Sequence, residues 1–203
     1  MFKYAIARKP SRSMTQGLSD ADLGTPDYDN ALKQHDDYIA ALKECGLEVL
    51  VLDAREEFPD SCFVEDVALM TPHCAILTNP GAPSRRGEVS HIEEAVRKYY
   101  DNVERIVSPG FVEAGDIMMV GDHYYIGLSE RTNQEGADQM IAILEKYNMT
   151  GSVVTMSEVL HLKTGLGYLE DNNLVACGEF LEKPEFQKYN IIEINQSESY
   201  SAN

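Results

Sequence analysis

Three segments of this 203-residue chain repeat one pattern at one interval, and that regularity constrains its architecture more than any other feature. Residues 63–79 run Phe-Val-Glu-Asp, an apolar stretch Val67–Met70, a Thr-Pro-His turn and a second apolar stretch Cys74–Thr78. Residues 111–128 run Phe-Val-Glu-Ala-Gly-Asp, then Ile117–Val120, a Gly-Asp turn and Tyr124–Leu128. Residues 160–177 run Leu-His-Leu-Lys-Thr-Gly, an apolar stretch to Leu169, an Asp-Asn-Asn turn and Leu174–Cys177. Two short apolar runs around turn-forming residues predict a hairpin each time. The polar residue that opens each hairpin (Glu65, Glu113, His161) recurs at an interval of 48 residues. A period of that size marks supersecondary units that bury a face only by packing on their neighbours.

Each hairpin leads into a helix signal and one more strand. Val89, Ile92, Val96 and Tyr99 share one helical face, and Val103–Val107 reads as a strand. Thr132-Asn-Gln-Glu135 has the form of a capping box and opens a helix carrying Ala137, Met140, Ile141 and Leu144 on one side, followed by strand Ser152–Met156. In the third unit Pro184 breaks the helix, and Tyr189–Ile194 is the strand. The N-terminus supplies an incomplete unit: a strand at 3–8 within Met1–Arg8, a helix from Thr25-Pro26 to Cys45 with Gly46 at its end, and a strand at 47–52. The expected organisation is a single domain, 1–203, with a part-module at 1–57 and modules at about 58–108, 109–157 and 158–198. The C-terminal Ser199-Tyr-Ser-Ala-Asn203 falls where a further hairpin is due. An open array leaves strand edges unpaired, so by repeat logic about one module and a closing strand are expected to be missing.

The charge balance limits the partners. With 34 acidic against 17 basic residues, the formal net charge is −17. This excludes nucleic acid and anionic membrane as expected partners, since both need clustered positive charge, and suits a cationic small molecule. No apolar run approaches the roughly 18 residues of a membrane span, and the first residues do not form a signal peptide, so the chain is expected in the cytoplasm. Cys45, Cys62, Cys74 and Cys177 lack paired spacing and read as small buried thiols. The five histidines form no metal-ligand pattern, and no metal or other cofactor is expected.

At equal phase in each repeat, one end of the array collects Glu65, Asp66, Glu113, Asp116 and His161 at strand starts. A guanidinium is planar and presents its N–H donors in a fixed fork, so converging carboxylates bind it at two points. Asp60 and Asp66 flank the first strand start and are candidates for that task. Singly, each acid would be explained by solvation or turn capping. Their shared phase with a histidine favours a site. Arg85, in a Gly/Pro-rich loop, and Arg131, in the comparable stretch of the next repeat, could clamp a carboxylate or form surface ion pairs. His161 lies between two leucines, and Glu113 at the same phase is placed to fix its tautomer and raise its proton affinity.

Several stretches resemble the dimethylarginine dimethylaminohydrolase family of the guanidino-group-modifying (pentein) superfamily. They are Ala7-Arg-Lys-Pro-Ser-Arg-Ser13, Phe58-Pro-Asp-Ser-Cys-Phe-Val-Glu-Asp66, Thr78-Asn-Pro-Gly-Ala-Pro-Ser-Arg-Arg-Gly87, Val112-Glu-Ala-Gly-Asp116, Gly127-Leu-Ser-Glu-Arg-Thr-Asn133 and Leu160-His-Leu-Lys-Thr-Gly165. They follow family order along the whole chain. The resemblance implies an α/β fold, a pseudo-symmetric propeller-like array of ββαβ modules. It implies His161 as the general acid–base residue and Glu113 as the acid that orients it. Asp60, Glu65 and Asp66 would hold the guanidinium and amino-acid head with a backbone contact at Leu18, and Arg85 and Arg131 would lie near the substrate carboxylate.

The implied reaction is hydrolysis of N-methylated arginine to citrulline and methylamine or dimethylamine through a cysteine–histidine covalent route. The family's nucleophile lies in a C-terminal Gly-rich strand, and none of the four cysteines matches its position, Cys62 being read as a strand cysteine. The chain by itself is therefore expected to bind ligand without turnover. Two other readings stay open: another guanidino-modifying enzyme such as an arginine deiminase, and a non-catalytic binder or fragment. A homodimer is consistent with the resemblance.

Overall fold

One strand order serves three small sheets. In a computed structural model describing residues 2–19 and 23–202, the first repeat forms β3 (Ala68–Met70), β4 (Ala75–Leu77) and β5 (Val103–Arg105). The second forms β6 (Ile117–Val120), β7 (His123–Leu128) and β8 (Thr150–Thr155), and the third β9 (Leu166–Glu170), β10 (Asn173–Ala176) and β11 (Asn190–Glu193). In every case the first strand pairs antiparallel with the second, and the second parallel with the third. The N-terminal unit has only the parallel half of this arrangement, β1 (Tyr4–Arg8) beside β2 (Glu48–Leu52). Met1 and Asn203, at the ends of stretches read above as a strand and as the approach to a hairpin, lie outside the described residues.

A parallel connection needs a crossover, and the helices supply it. Helix α1 (Tyr28–Glu44) links β1 to β2; Asp27 caps it by accepting from the Asn30 N–H at 2.8 Å, one residue past the expected Thr-Pro start. Gly46 ends it at φ +86°, a left-handed position that costs a glycine little. Helix α3 (Gln134–Lys146) links β7 to β8, with Ala137, Met140 and Leu144 buried. Its cap is Asn133, whose Oδ1 accepts from the Gly136 N–H at 2.9 Å, so the box expected at Thr132 is displaced by one residue. The Thr132 hydroxyl is turned away from the helix, accepting from the Glu113 N–H and donating to Asp116.

The first crossover departs from the expected regular helix. It is a 3-10 stretch, Pro83–His91, followed by the single turn α2 (Glu93–Val96). At Gly87 a β-carbon would fall 2.5 Å from the Phe58 ring, so the backbone here follows the packing of that ring. Val89, Ile92 and Val96 are still buried against β3 and β4, as the periodicity requires. The segment Gln196–Ala202 adopts 3-10 turns and buries Ala202. Among the described residues no helix is long and apolar enough to cross a membrane.

Two of the cysteines differ from the buried strand thiols expected. Cys45 is exposed where α1 ends, and Cys62 lies in a turn rather than a strand. Both follow from the polar, turn-rich sequence around them.

Candidate active site

Of the phase-matched residues Glu113 and His161 converge, joined by Asp66 and Asp116, while Glu65 faces outward, and they do so from turns and not from strand starts. Asp66 lies in a 3-10 turn (Val64–Val67), Glu113 opens another (Ala114–Asp116), and His161 is the N-cap of α4 (Leu162–Gly165). A buried carboxylate needs N–H donors, and a turned backbone offers them where an extended ladder has already used them.

Asp66 is 7% exposed and divides its oxygens. Oδ2 accepts from Arg85 Nη1 at 2.6 Å; Oδ1 accepts from the Gly115 N–H at 3.0 Å and lies 3.9 Å from His161 Nε2. Glu113 is buried; Oε1 accepts from the Ala82 N–H at 3.0 Å, and Oε2 stands 3.6 Å from His161 Nε2. Burial pushes the Glu113 carboxyl above the usual range, and the negative charge of Asp66 adds to this. The Ala82 N–H and the charges of Arg85 and Arg131 act the other way.

His161 is the meeting point. Its Nδ1 lies 3.3 Å from Asp116 Oδ1, while its Nε2 faces Glu113 and Asp66. Burial alone would lower the imidazole pKa. The hydrogen bond and charge of Asp116, with the charges of Asp66 and Glu113, outweigh it and hold the value above that of an ordinary histidine.

Asp60 is buried at the other side of the cluster. Its Oδ1 accepts from the Leu18 N–H at 3.0 Å, and its carbonyl accepts from Arg85 Nη2. Leu18, half-exposed, lines a cavity of about 300 Å³ with Ala82, Pro83, Ser84, Glu130 and Arg131. Glu65 is exposed and ion-paired to Lys163 at 2.6 Å. Neither the Leu18 cavity nor a second one of about 120 Å³, between Glu158, Cys177 and Gln196, has Asp66, Glu113, Asp116 or His161 in its lining; the first adjoins the cluster through Ala82 and Arg131.

The two arginines part company. Arg131 borders the cavity and reaches Glu113 Oε1 at 3.8 Å. Arg85 is 4% exposed behind the acids. Its fork is engaged by Asp66, by both oxygens of Glu88, and by the carbonyls of Asp60 and Phe63. Glu88, unassigned by the sequence reading, follows Arg85 by three residues, a spacing that puts the two on one face of a turn. Ser129 and Thr132 were also missed; both surround Asp116, and only their place in the Gly127–Asn133 stretch hinted at a role.

One ligand atom from each of Asp66, Glu113 and His161 lies within 4.8 Å of the others, close enough to suggest a metal triad. Arg85 already places a cation 2.6 Å from Asp66 and 4.0 Å from Glu113. A divalent ion would sit against that guanidinium, so the arrangement is not read as a metal site. None of the cysteines resembles an activated thiol: burial pushes Cys62, Cys74 and Cys177 up in pKa, and Cys45 is exposed far along the chain at the end of α1.

A family model described as "N,N dimethylarginine dimethylhydrolase, eukaryotic" matches residues 25–200. The chain is 62% identical over 204 residues to N(G),N(G)-dimethylarginine dimethylaminohydrolase of Pseudomonas aeruginosa, covering 100% of this chain and 80% of the relative. It is 37% identical over 175 residues to the protein of that name from Streptomyces coelicolor, covering 86% of this chain and 68% of the relative. A solved structure of the Pseudomonas enzyme, a cysteine-to-serine variant complexed with citrulline, superposes with a TM-score of 0.99 over 100% of this chain and 80% of its own. A cyanobacterial arginine dihydrolase domain, 14% identical, superposes with a TM-score of 0.86 over 98% of this chain and 78% of its own, which shows a shared fold alone.

Proposed function

Since this chain belongs to the dimethylarginine dimethylaminohydrolase family, we propose that it binds N-methylated arginine and provides the acid–base groups that hydrolyse it to citrulline and dimethylamine or methylamine. The observation that carries the reading is the convergence of Asp66, Glu113 and His161, with Arg131, which lines the neighbouring cavity, 3.8 Å from Glu113. Carboxylates suit the guanidinium, and an arginine at the cavity wall suits the amino acid's carboxylate. Asp60, tied to the Leu18 backbone, closes the amino-acid end of the site. Glu65 stands at the exposed margin with Lys163, where it adds negative potential toward an approaching cation.

The guanidinium carbon is a poor electrophile because its charge is spread over three nitrogens. Holding that group between carboxylates fixes its plane for attack by a thiolate. His161 Nε2 faces the carboxylates that hold the guanidinium, so it delivers the proton to the departing amine, then takes one from water as the covalent intermediate is hydrolysed. A raised imidazole pKa serves the first of these steps, because the acid form is populated nearer neutral pH. Proton transfer of this kind contributes ~10²–10⁴ in rate. The thiolate is not one of the chain's four cysteines. We further propose a homodimer in the cytoplasm; four unpaired thiols fit a reducing compartment, and sedimentation would give the assembly state.

Calorimetric titration with asymmetric dimethylarginine tests the binding half: one site per chain is expected, lost in Asp66→Ala. Absence of heat from the folded chain would sink the reading. For the chemical half, dimethylamine formed from dimethylarginine is the expected product, and ammonia from arginine would favour a deiminase. Steady citrulline output from these 203 residues would show that one of the four cysteines serves after all.

A further inference from the structure

Among the acids of the cluster, Asp116 is fully buried and has no arginine or lysine partner among the described contacts. Oδ2 accepts from the hydroxyls of Ser129 (2.7 Å) and Thr132 (2.6 Å), and Oδ1 from the Leu162 N–H (3.1 Å) with His161 Nδ1 at 3.3 Å. Four donors thus surround four lone-pair positions. A carboxylate only accepts, so the imidazole nitrogen that faces it carries the proton. That leaves Nε2 as the nitrogen whose protonation changes, and Nε2 faces Glu113 and Asp66.

We propose that Asp116, held by Ser129 and Thr132, is the positioning residue that sets the tautomer and ring orientation of His161. Glu113 acts on the other nitrogen. The same assembly reaches both sides of the site. Thr132 Oγ1 accepts from the Glu113 N–H at 3.2 Å, and Ser129 Oγ accepts from the Arg131 N–H at 2.9 Å. One buried carboxylate therefore ties the second module's acid and arginine to the third module's histidine. The Leu162 N–H bond fixes the start of α4, on which His161 is the N-cap. This inference rests on the acid–base role of His161 proposed above.

The test is histidine-selective ¹⁵N NMR on the chain as it stands, with His161 assigned by its loss in His161→Gln. The neutral imidazole of His161 is expected as the Nδ1–H tautomer. Asp116→Asn, whose amide can donate to Nδ1, should convert it to Nε2–H. It should also lower the proton affinity of His161 about tenfold or more, the scale of losing an adjacent opposite charge. Other charges facing or adjoining the ring (Asp66 and Glu113 at Nε2, with Arg85 and Arg131 beside them) stay in place in that variant. If Asp116→Asn does not fold, Thr132→Val should give a smaller shift in the same direction, and Thr132→Ser, which keeps the hydroxyl, should restore it. An Nε2–H tautomer in the unmodified chain, or an unchanged spectrum in the folded variants, overturns the proposal. Dimethylarginine titration separates the two claims: lost binding with an intact Nδ1–H signal counts against the functional reading, not against the placement of Asp116.

Discussion

Arg85 Nη1 and Asp66 Oδ2 meet at 2.6 Å with the arginine 4% exposed, so the acid that faces His161 on one oxygen is neutralised from behind on the other. That pairing keeps several carboxylates together in one small volume. Burial disfavours the charge of Arg85, yet Glu88 and Asp66 more than compensate and hold it firmly protonated. Glu88 in turn is pushed upward by burial against the opposing pull of Arg85.

Removing the cation should therefore cost more than removing an exposed one. Arg85→Ala leaves Asp66, Glu88 and Glu113 without their shared counter-ion and is expected to lower stability by ~3–5 kcal/mol, the scale of a broken buried ion pair. Urea unfolding of variant and parent measures it. A loss below ~1 kcal/mol would show that water enters and takes over the pairing.

Gly115 separates two groups of the site. A β-carbon there would fall 2.7 Å from Asp66 Oδ1 and 3.0 Å from the His161 ring. Gly115→Ala should push the two apart and weaken dimethylarginine binding about tenfold or more, since ångström-scale misplacement of site groups is costly. Calorimetry reports the affinity; an unchanged value would mean the two side chains relax freely.

Gly136 tests packing away from the chemistry. A β-carbon would lie 2.0 Å from the Phe111 carbonyl oxygen, a backbone atom that cannot rotate aside. Alanine is ordinarily the better helix former, yet Gly136→Ala is expected to destabilise by ~1–3 kcal/mol, as overpacking does. A raised unfolding midpoint would contradict the close approach of α3 to residue 111.

The raised pKa of His161 links stability to pH. The folded chain binds the imidazole proton more tightly than the unfolded chain, so this contribution is full below the ordinary histidine value of about 6.5 and lost as pH rises through the raised one. Urea midpoints of parent and His161→Gln should therefore converge toward higher pH and separate toward lower pH. A gap that widens with rising pH would reverse the assignment.

Periodicity located the module pattern because each hairpin must alternate apolar runs with turn formers to bury one face, a requirement written along the chain. It placed Glu65, Glu113 and His161 at equal phase and offered Asp60, Asp66, Arg85 and Arg131 as candidates, and the family resemblance added the backbone contact at Leu18. The sequence could not say whether those residues stand on strands or on the turns before them, because that depends on where buried carboxylates find N–H donors. It marked Thr132 as a helix cap; the Thr132 hydroxyl instead bridges the Glu113 N–H and Asp116, and Asn133 caps the helix. It treated Arg85 and Arg131 alike, since both are arginines in turn-rich loops. Their difference is burial, which arises only when Phe58–Asp66 folds over the Pro83–His91 stretch and supplies Arg85 with acceptors. Local pattern determined which residues could form the site. Contacts across 19–49 residues of chain, such as Arg85–Asp66 and Gly115–Asp66, decided what each one touches, because charge pairing in a buried volume depends on distances that only the assembled modules set.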